Sequence, residues 1–141
     1  MASGNTLVSD LMTREVTTLQ RNDTLKSADD LMRLGRIRHL PVLDEDRNLA
    51  GIVSQRDLFL GGLLRALGYG AHARERALEG LFVKEAMKTD VLTTTASTPL
   101  AQAAALMLER KVGCLVVVDG LKVVGILTEA DFVKLAVSTG H

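Results

Sequence analysis

The feature that constrains this chain most is an internal repeat. Gly51-Ile52-Val53-Ser54-Gln55-Arg56-Asp57 returns as Gly125-Ile126-Leu127-Thr128-Glu129-Ala130-Asp131. The echo extends well upstream. Val8-Ser9-Asp10-Leu11-Met12-Thr13 is matched by Val83-Lys84-Glu85-Ala86-Met87-Lys88, and Leu25, Ala28, Leu31 and Met32 by Leu100, Ala103, Leu106 and Met107. Met12 and Met87 are 75 residues apart, Asp57 and Asp131 74. The one missing residue falls in a polar turn, where deletion is easiest. Each half reads as strand–helix–strand–strand–helix. Neither is large enough to bury a core alone, so the two are expected to pack together.

In each copy of the Gly-to-Asp stretch an apolar run stops at a hydroxyl and a helical pattern starts. A hydroxyl at a helix start with an acid one turn later suits a cap. The same two groups suit a ligand, because helix N-termini favour anions and carboxylates accept hydrogen bonds strongly. One copy alone favours the cap; the duplication favours the ligand.

Along the chain, residues 1–6 read as a loose terminus and Leu7 to Met12 as a short helix. Glu15 to Leu19 reads as a strand, and Arg21 to Thr24 as a turn in which Asp23 can cap the next helix. The stripe from Leu25 to Leu34 predicts an amphipathic helix closed by Gly35. Leu40-Pro41-Val42-Leu43 predicts a strand whose proline assigns it to an edge or to the strand's first positions. A turn at Asp44 to Asn48 and a strand from Leu49 to Val53 follow, then an apolar helix from Asp57 to Leu67. Residues 68–81 carry mixed charge at helical spacing and predict a connector with a short solvent-facing helix. The expected division is repeat 1 at 7–67, connector at 68–81 and repeat 2 at 82–138.

Composition removes several function classes. The formal net charge is zero and the pI near 6.8, so nothing favours nucleic acid or an acidic membrane as partner. Hydrophobic residues make up 47% and aromatics only 3%, so the core must be aliphatic. Cys114 is the one cysteine and reads as a small buried hydrophobe. With no secretory pattern at the start and no apolar run of spanning length, a cytoplasmic location is expected. His39, His72 and His141 lack metal-ligand spacing, so no metal is expected. No nucleophile–base constellation is present, so the chain is expected not to be an enzyme.

Two units that each begin near an apolar-Met pair and end in Gly-apolar-x-Ser/Thr-x-x-Asp resemble a tandem pair of CBS domains, the Bateman module. The resemblance covers about residues 7–59 and 82–137. It implies an α/β (α+β) fold of two βαββα repeats with pseudo-two-fold symmetry and sheets packed face to face. It implies clefts between the repeats that take an adenosine ligand: AMP, ADP or ATP, or else S-adenosylmethionine or NAD. It also implies a regulatory role, with homodimerisation through helices 57–67 and 131–138.

Carried onto this sequence, the resemblance gives two unequal sites. The first uses Asp57 on ribose and Ser54 near phosphate, with Arg38, His39 and Arg56 as a phosphate set. Guanidinium groups match phosphate geometry. Val91, Thr93, Thr98, Ala103, Val112 and Gly113 would receive the adenine. The second uses Asp131 and Thr128 with Val16, Thr18, Asp23, Ala28 and Ile37. There Gly113, Cys114 and Ala130 stand where Arg38, His39 and Arg56 stand in the first, so the second site is expected to be weaker. The surplus apolar face of the helix after Asp57 (Leu58, Phe59, Leu60, Leu63, Leu64 and Leu67) points to a second copy, with an intramolecular lid from the connector as the alternative. The reading that follows is a stand-alone sensor of adenine nucleotides that signals to a partner protein. Its rival is a constitutive interaction scaffold with dead clefts.

Overall fold

The structure is a computed structural model that describes residues 6–59, 76 and 78–139. Its elements are α1 (Val8–Leu11), β1 (Leu19–Gln20), α2 (Leu25–Gly35), β2 (His39–Leu43) and β3 (Leu49–Ser54). A helix α3 starts at residue 55 and is described through 59. Then come α4 (Val83–Ala86), β4 (Thr93–Thr94), α5 (Leu100–Arg110), β5 (Cys114–Asp119), β6 (Lys122–Thr128) and α6 (Glu129–Thr139). Two three-stranded sheets result, β1-β2-β3 and β4-β5-β6. In each, a parallel pair precedes an antiparallel one. The mixed α/β class and the duplication expected from the sequence are both present.

The chain divides into two compact units whose borders do not follow the repeat. One unit is Thr17–Asp90, the other Met1–Val16 together with Val91–His141. They are called here the Asp57 unit and the Asp131 unit. The leading segment of each repeat has therefore crossed to the sheet of the other. Thr13 forms an antiparallel bridge with Ile126, and Lys88 with Ile52. Both bridges are reciprocal, with the two N–H···O bonds of each at 2.9 Å.

The opening glycine of each motif makes these bridges possible. A Cβ on Gly51 would lie 2.7 Å from Met87 Sδ and 2.8 Å from the Lys88 carbonyl oxygen. A Cβ on Gly125 would lie 2.7 Å from Met12 Sδ and 3.1 Å from the Thr13 carbonyl oxygen. The apolar-Met signal and the Gly-x-x-Ser/Thr-x-x-Asp signal are thus two halves of one packing contact, formed within each unit between segments of different repeats.

In the Asp57 unit the core is Leu19, Leu25, Ala28, Met32, Leu40, Val42, Val53, Leu58, Leu78 and Val83. In the Asp131 unit it is Val8, Met12, Leu100, Ala103, Met107, Leu115, Val117 and Leu127. Both are aliphatic, as composition requires. Truncating one of these leucines to alanine costs roughly 2–5 kcal/mol.

Several local expectations are corrected. Residues 15–18 are not strand: β1 pairs with β2 only at Leu19 and Gln20, because the preceding segment belongs to the other unit's sheet. The cap of α2 is Thr24, whose hydroxyl accepts from the Ser27 N–H at 3.1 Å, while Asp23 accepts from the Gln20 N–H in the turn. Helix α2 is closed by Arg36 in the left-handed region (φ 53°), not by Gly35. Lys111 closes α5 in the same way at φ 55°. A basic residue there favours the negative end of the helix dipole, which offsets part of the left-handed strain. Gly35 instead makes room for the turn that follows, since a Cβ there would sit 2.7 Å from Ile37 Cδ1.

Pro41 lies in the middle of the central strand, buried, rather than on an edge or at its strand's first positions. It is tolerated because β1 joins the ladder only from Val42 onward, so on that side the strand is still open at Pro41. Helix α3 begins two residues before Asp57. In the connector Arg76 and Glu79 are exposed as expected, but Leu78 is fully buried in the Asp57 unit core, so that turn is not purely solvent-facing. Residues 60–75, 77 and 140–141, which include Leu60, Leu63, Leu64, Leu67, His72 and His141, lie outside the described residues. Among the described residues no helix is long and apolar enough to cross a membrane.

Candidate functional site

Each unit has one strand-to-helix junction that ends β3 or β6 on a hydroxyl and turns into a helix. In the Asp57 unit, Asp57 Oδ2 accepts from the Ser54 N–H at 2.8 Å and from the Ser54 hydroxyl at 2.9 Å. Ser54 Oγ in turn accepts from the Asp57 N–H at 3.2 Å. This reciprocal arrangement is a capping box, with serine at the N-cap and the acid three residues on. The cap reading of the motif is therefore realised, and it occupies one carboxylate oxygen.

The other oxygen is what the junction has left over. Among the described residues, Asp57 Oδ1 meets only the Lys88 ammonium, at 3.8 Å, beyond hydrogen-bond reach. The Asp57 side chain is 9% exposed and Lys88 66%. Lys88 escaped the sequence reading of the site because it lies 31 residues downstream of Asp57 in the other repeat. Its only sequence signal is that it follows Met87 as Thr13 follows Met12.

The ladder brings further predicted residues to this end of the sheet. His39 pairs with Ser54, and the Gln55 N–H donates to the Arg38 carbonyl at 2.8 Å. Arg38, His39, Ser54, Arg56 and Asp57 thus share one end of the β2–β3 pair. Arg38 and Arg56 are exposed, and His39 is half-buried with a partner of its own. Arg56 also lines a groove of about 590 Å³ together with Asp29, Met32, Arg33, Gln55 and Phe59, which Asp57 does not line.

The Asp131 junction repeats the frame with different outcomes. Asp131 Oδ2 accepts from the Thr128 N–H at 2.8 Å and the Thr128 hydroxyl at 3.3 Å. Cys114 pairs with Thr128, and the Glu129 N–H donates to the Gly113 carbonyl at 3.2 Å. Gly113 and Cys114 are therefore the spatial counterparts of Arg38 and His39. Here the outer oxygen is taken: Thr13 Oγ1 donates to Asp131 Oδ1 at 2.9 Å. Asp131 is 5% exposed, and among the described residues no cation pairs with it. Among the described residues this buried carboxylate is held by hydrogen bonds alone.

The remaining predicted residues divide by unit. Thr18, Asp23, Ala28 and Ile37 lie in the Asp57 unit, and Val16, Val91, Thr93, Thr98, Ala103, Val112 and Gly113 in the Asp131 unit. Ala28 and Ala103 are buried in their respective cores. The Thr98 carbonyl accepts from the Val8 N–H at 2.9 Å, and its hydroxyl is 2.8 Å from that of Thr95. Cys114 is buried, and desolvation pushes its thiol up to about 12 from an ordinary 9.0, as suits a buried hydrophobe. Among the described residues no cluster of histidine, cysteine, aspartate or glutamate could hold a metal ion.

A duplicated α+β chain with a carboxylate-capped strand-to-helix junction in each unit defines a class of tandem modules. The chain belongs to the CBS domain family: the model of the CBS domain matches residues 8–61 and 83–138. Solved structures agree over nearly the whole chain. A protein designated AcuB from Vibrio cholerae is 40% identical with a TM-score of 0.78, covering 94% of this chain and 91% of that one. CBSX2 in complex with AMP is 31% identical with a TM-score of 0.76, covering 96% and 98%. The CBS domain pair of protein MJ0100, in complex with 5′-methylthioadenosine and S-adenosyl-L-methionine, is 26% identical with a TM-score of 0.75, covering 94% and 97%. The chain spans less than half the length of most curated relatives it matches.

Proposed function

We propose that this chain is a regulatory module that binds an adenine nucleotide through Asp57 and signals its presence to a partner protein. The observation that carries the reading is Asp57 Oδ1: a carboxylate oxygen at a helix start, on a side chain only 9% exposed, with no hydrogen-bond partner among the described residues. A ribose offers two vicinal hydroxyls to such an acceptor, and hydrogen bonds to an ionised group are the strong ones. Exposed Arg38, Arg56 and Lys88 on the same unit supply positive charge for phosphate. The adenosine ligands of CBSX2 and of the MJ0100 domain pair support the same ligand class. Catalysis forms no part of the proposal.

Signal output requires two states, and a ligand shifts them only by its differential affinity. The proposed assembly is a homodimer through helices 57–67 and 131–138. In the described part, Phe59 is 55% exposed, Val133 63% and Val137 73%, while Leu58 is buried. Apolar groups at that exposure favour a partner surface.

The test is thermal unfolding with AMP, ATP and S-adenosylmethionine. A ligand at a hundred times its dissociation constant adds about 2.7 kcal/mol, and most of the shift should be lost in Asp57→Ala. No shift with any of the three at millimolar concentration would favour the constitutive scaffold. That rival draws its support from Asp131, whose two carboxylate oxygens both accept structural hydrogen bonds.

A further inference from the structure

The two junctions differ at one position that follows the methionine in each repeat. Thr13 stands in the Asp131 unit where Lys88 stands in the Asp57 unit, on the same bridge to the strand that leads into the motif. A carboxylate offers about four acceptor sites, two per oxygen. Among the described residues Asp57 uses two of them, both on Oδ2, for Ser54. Asp131 uses three, because Thr13 adds its hydroxyl to Oδ1 at 2.9 Å. A ribose diol brings two donors. It matches what Asp57 has free and exceeds what Asp131 has free.

We infer that Thr13 closes Asp131 to a ribose and that Lys88, its counterpart, leaves Asp57 open. This rests on the nucleotide reading proposed above and extends it to the residues that decide which junction is used. Lys88 cannot close Asp57 in the same way. Its ammonium stands 3.8 Å from Oδ1 on a side chain that is 66% exposed, so it moves aside at little cost and remains near as a cation for phosphate. The threonine hydroxyl is a short, fixed donor on a backbone pinned by two 2.9 Å hydrogen bonds to Ile126. Selection between the two junctions therefore follows from one side chain delivered by the crossed-over segment.

The inference is tested by calorimetric titration of AMP into this chain. In an Asp57→Ala background only the Asp131 junction remains, and Thr13→Val keeps the shape of threonine while removing the donor. Affinity for AMP should rise about tenfold, the effect of releasing one hydrogen bond to a charged group. Thr13→Ser, which keeps the hydroxyl, should give no gain. In an Asp131→Ala background, Lys88→Thr should weaken AMP more than Lys88→Val, because both lose the cation and only threonine adds the lock. Unchanged or weaker affinity in Thr13→Val, or equal effects of the two Lys88 variants, would overturn the inference while leaving AMP binding by Asp57 intact. Absence of AMP binding in wild type and every variant would bring down the nucleotide reading, and this inference with it.

Discussion

Thr13 and Asp131 are separated by 118 residues and joined by a 2.9 Å hydrogen bond, which leaves the buried Asp131 carboxylate with both oxygens engaged. Asp57, the same residue of the other repeat, keeps one oxygen without such a bond among the described residues. Stability and binding should therefore separate between the two aspartates. Asp131→Ala leaves the Thr128 N–H and the Thr13 hydroxyl without their acceptor, a loss of about 1–3 kcal/mol. Asp57→Ala forfeits a similar cap but no third bond, and its pair with exposed Lys88 is worth little. Urea unfolding without nucleotide should show the larger loss in Asp131→Ala, and AMP titration the larger loss in Asp57→Ala. Equal losses of AMP binding would defeat the asymmetry of the two sites.

The opening glycines should be intolerant to different degrees. Alanine at 51 meets the Lys88 carbonyl oxygen at 2.8 Å, backbone that must shift with its bridge, as well as the flexible end of Met87. Alanine at 125 meets the Thr13 carbonyl oxygen at 3.1 Å and the flexible end of Met12. Overpacking of this kind costs roughly 1–3 kcal/mol. Gly51→Ala should fall at the upper end and Gly125→Ala at the lower, by denaturant midpoint at unchanged m-value. The reverse order would mean that the backbone contact at Gly51 relaxes freely.

Thr24→Ala removes the side-chain cap of α2 and should lower stability by about 1 kcal/mol. Thr24→Ser retains the acceptor and should recover most of it. A loss shared by the serine variant would assign the effect to the threonine methyl instead.

Cys114 makes stability depend on pH at the alkaline end. Burial raises its pKa in the folded chain from 9.0 to about 12, so between those values the folded state holds a proton that the unfolded state has lost. Its contribution is constant below pH 9 and falls as pH climbs toward 12, by up to roughly 1.4 kcal/mol per pH unit. Cys114→Ala should flatten that slope, whatever it does to stability at pH 7. For the same reason a thiol reagent at pH 8 should label the folded chain far more slowly than the denatured one. Labelling at equal rates would refute the burial of this thiol.

The repeat, the helical stripes, the aliphatic core and the positions of both junctions were all legible in the sequence, because each depends on local spacing. Periodicity places Leu25, Ala28 and Met32 on one helix face wherever that helix packs. The spacing of Ser54 to Asp57 and of Thr128 to Asp131 is one helical turn, so it defines a cap by itself. The place of Pro41 is not legible locally, because tolerance for a missing N–H depends on how far the neighbouring strand extends. The left-handed closures at Arg36 and Lys111 were missed because glycine, the usual occupant, lay one residue away in the first repeat.

What the sequence could not decide is which sheet each leading segment joins. Val8 and Met12 offer the same apolar pattern as Val83 and Met87, so either segment matches the glycine of either motif. Only the tertiary structure assigns Met12 and Thr13 to Gly125, and Met87 and Lys88 to Gly51. That exchange is what brings a threonine hydroxyl to Asp131 and a lysine ammonium to Asp57. The sequence by itself determined two carboxylates in matching frames with unequal neighbours, Arg38, His39 and Arg56 against Gly113, Cys114 and Ala130; the difference in their hydrogen bonds is set by side chains arriving from the other repeat, since a hydrogen bond depends on distance in space and not on separation along the chain.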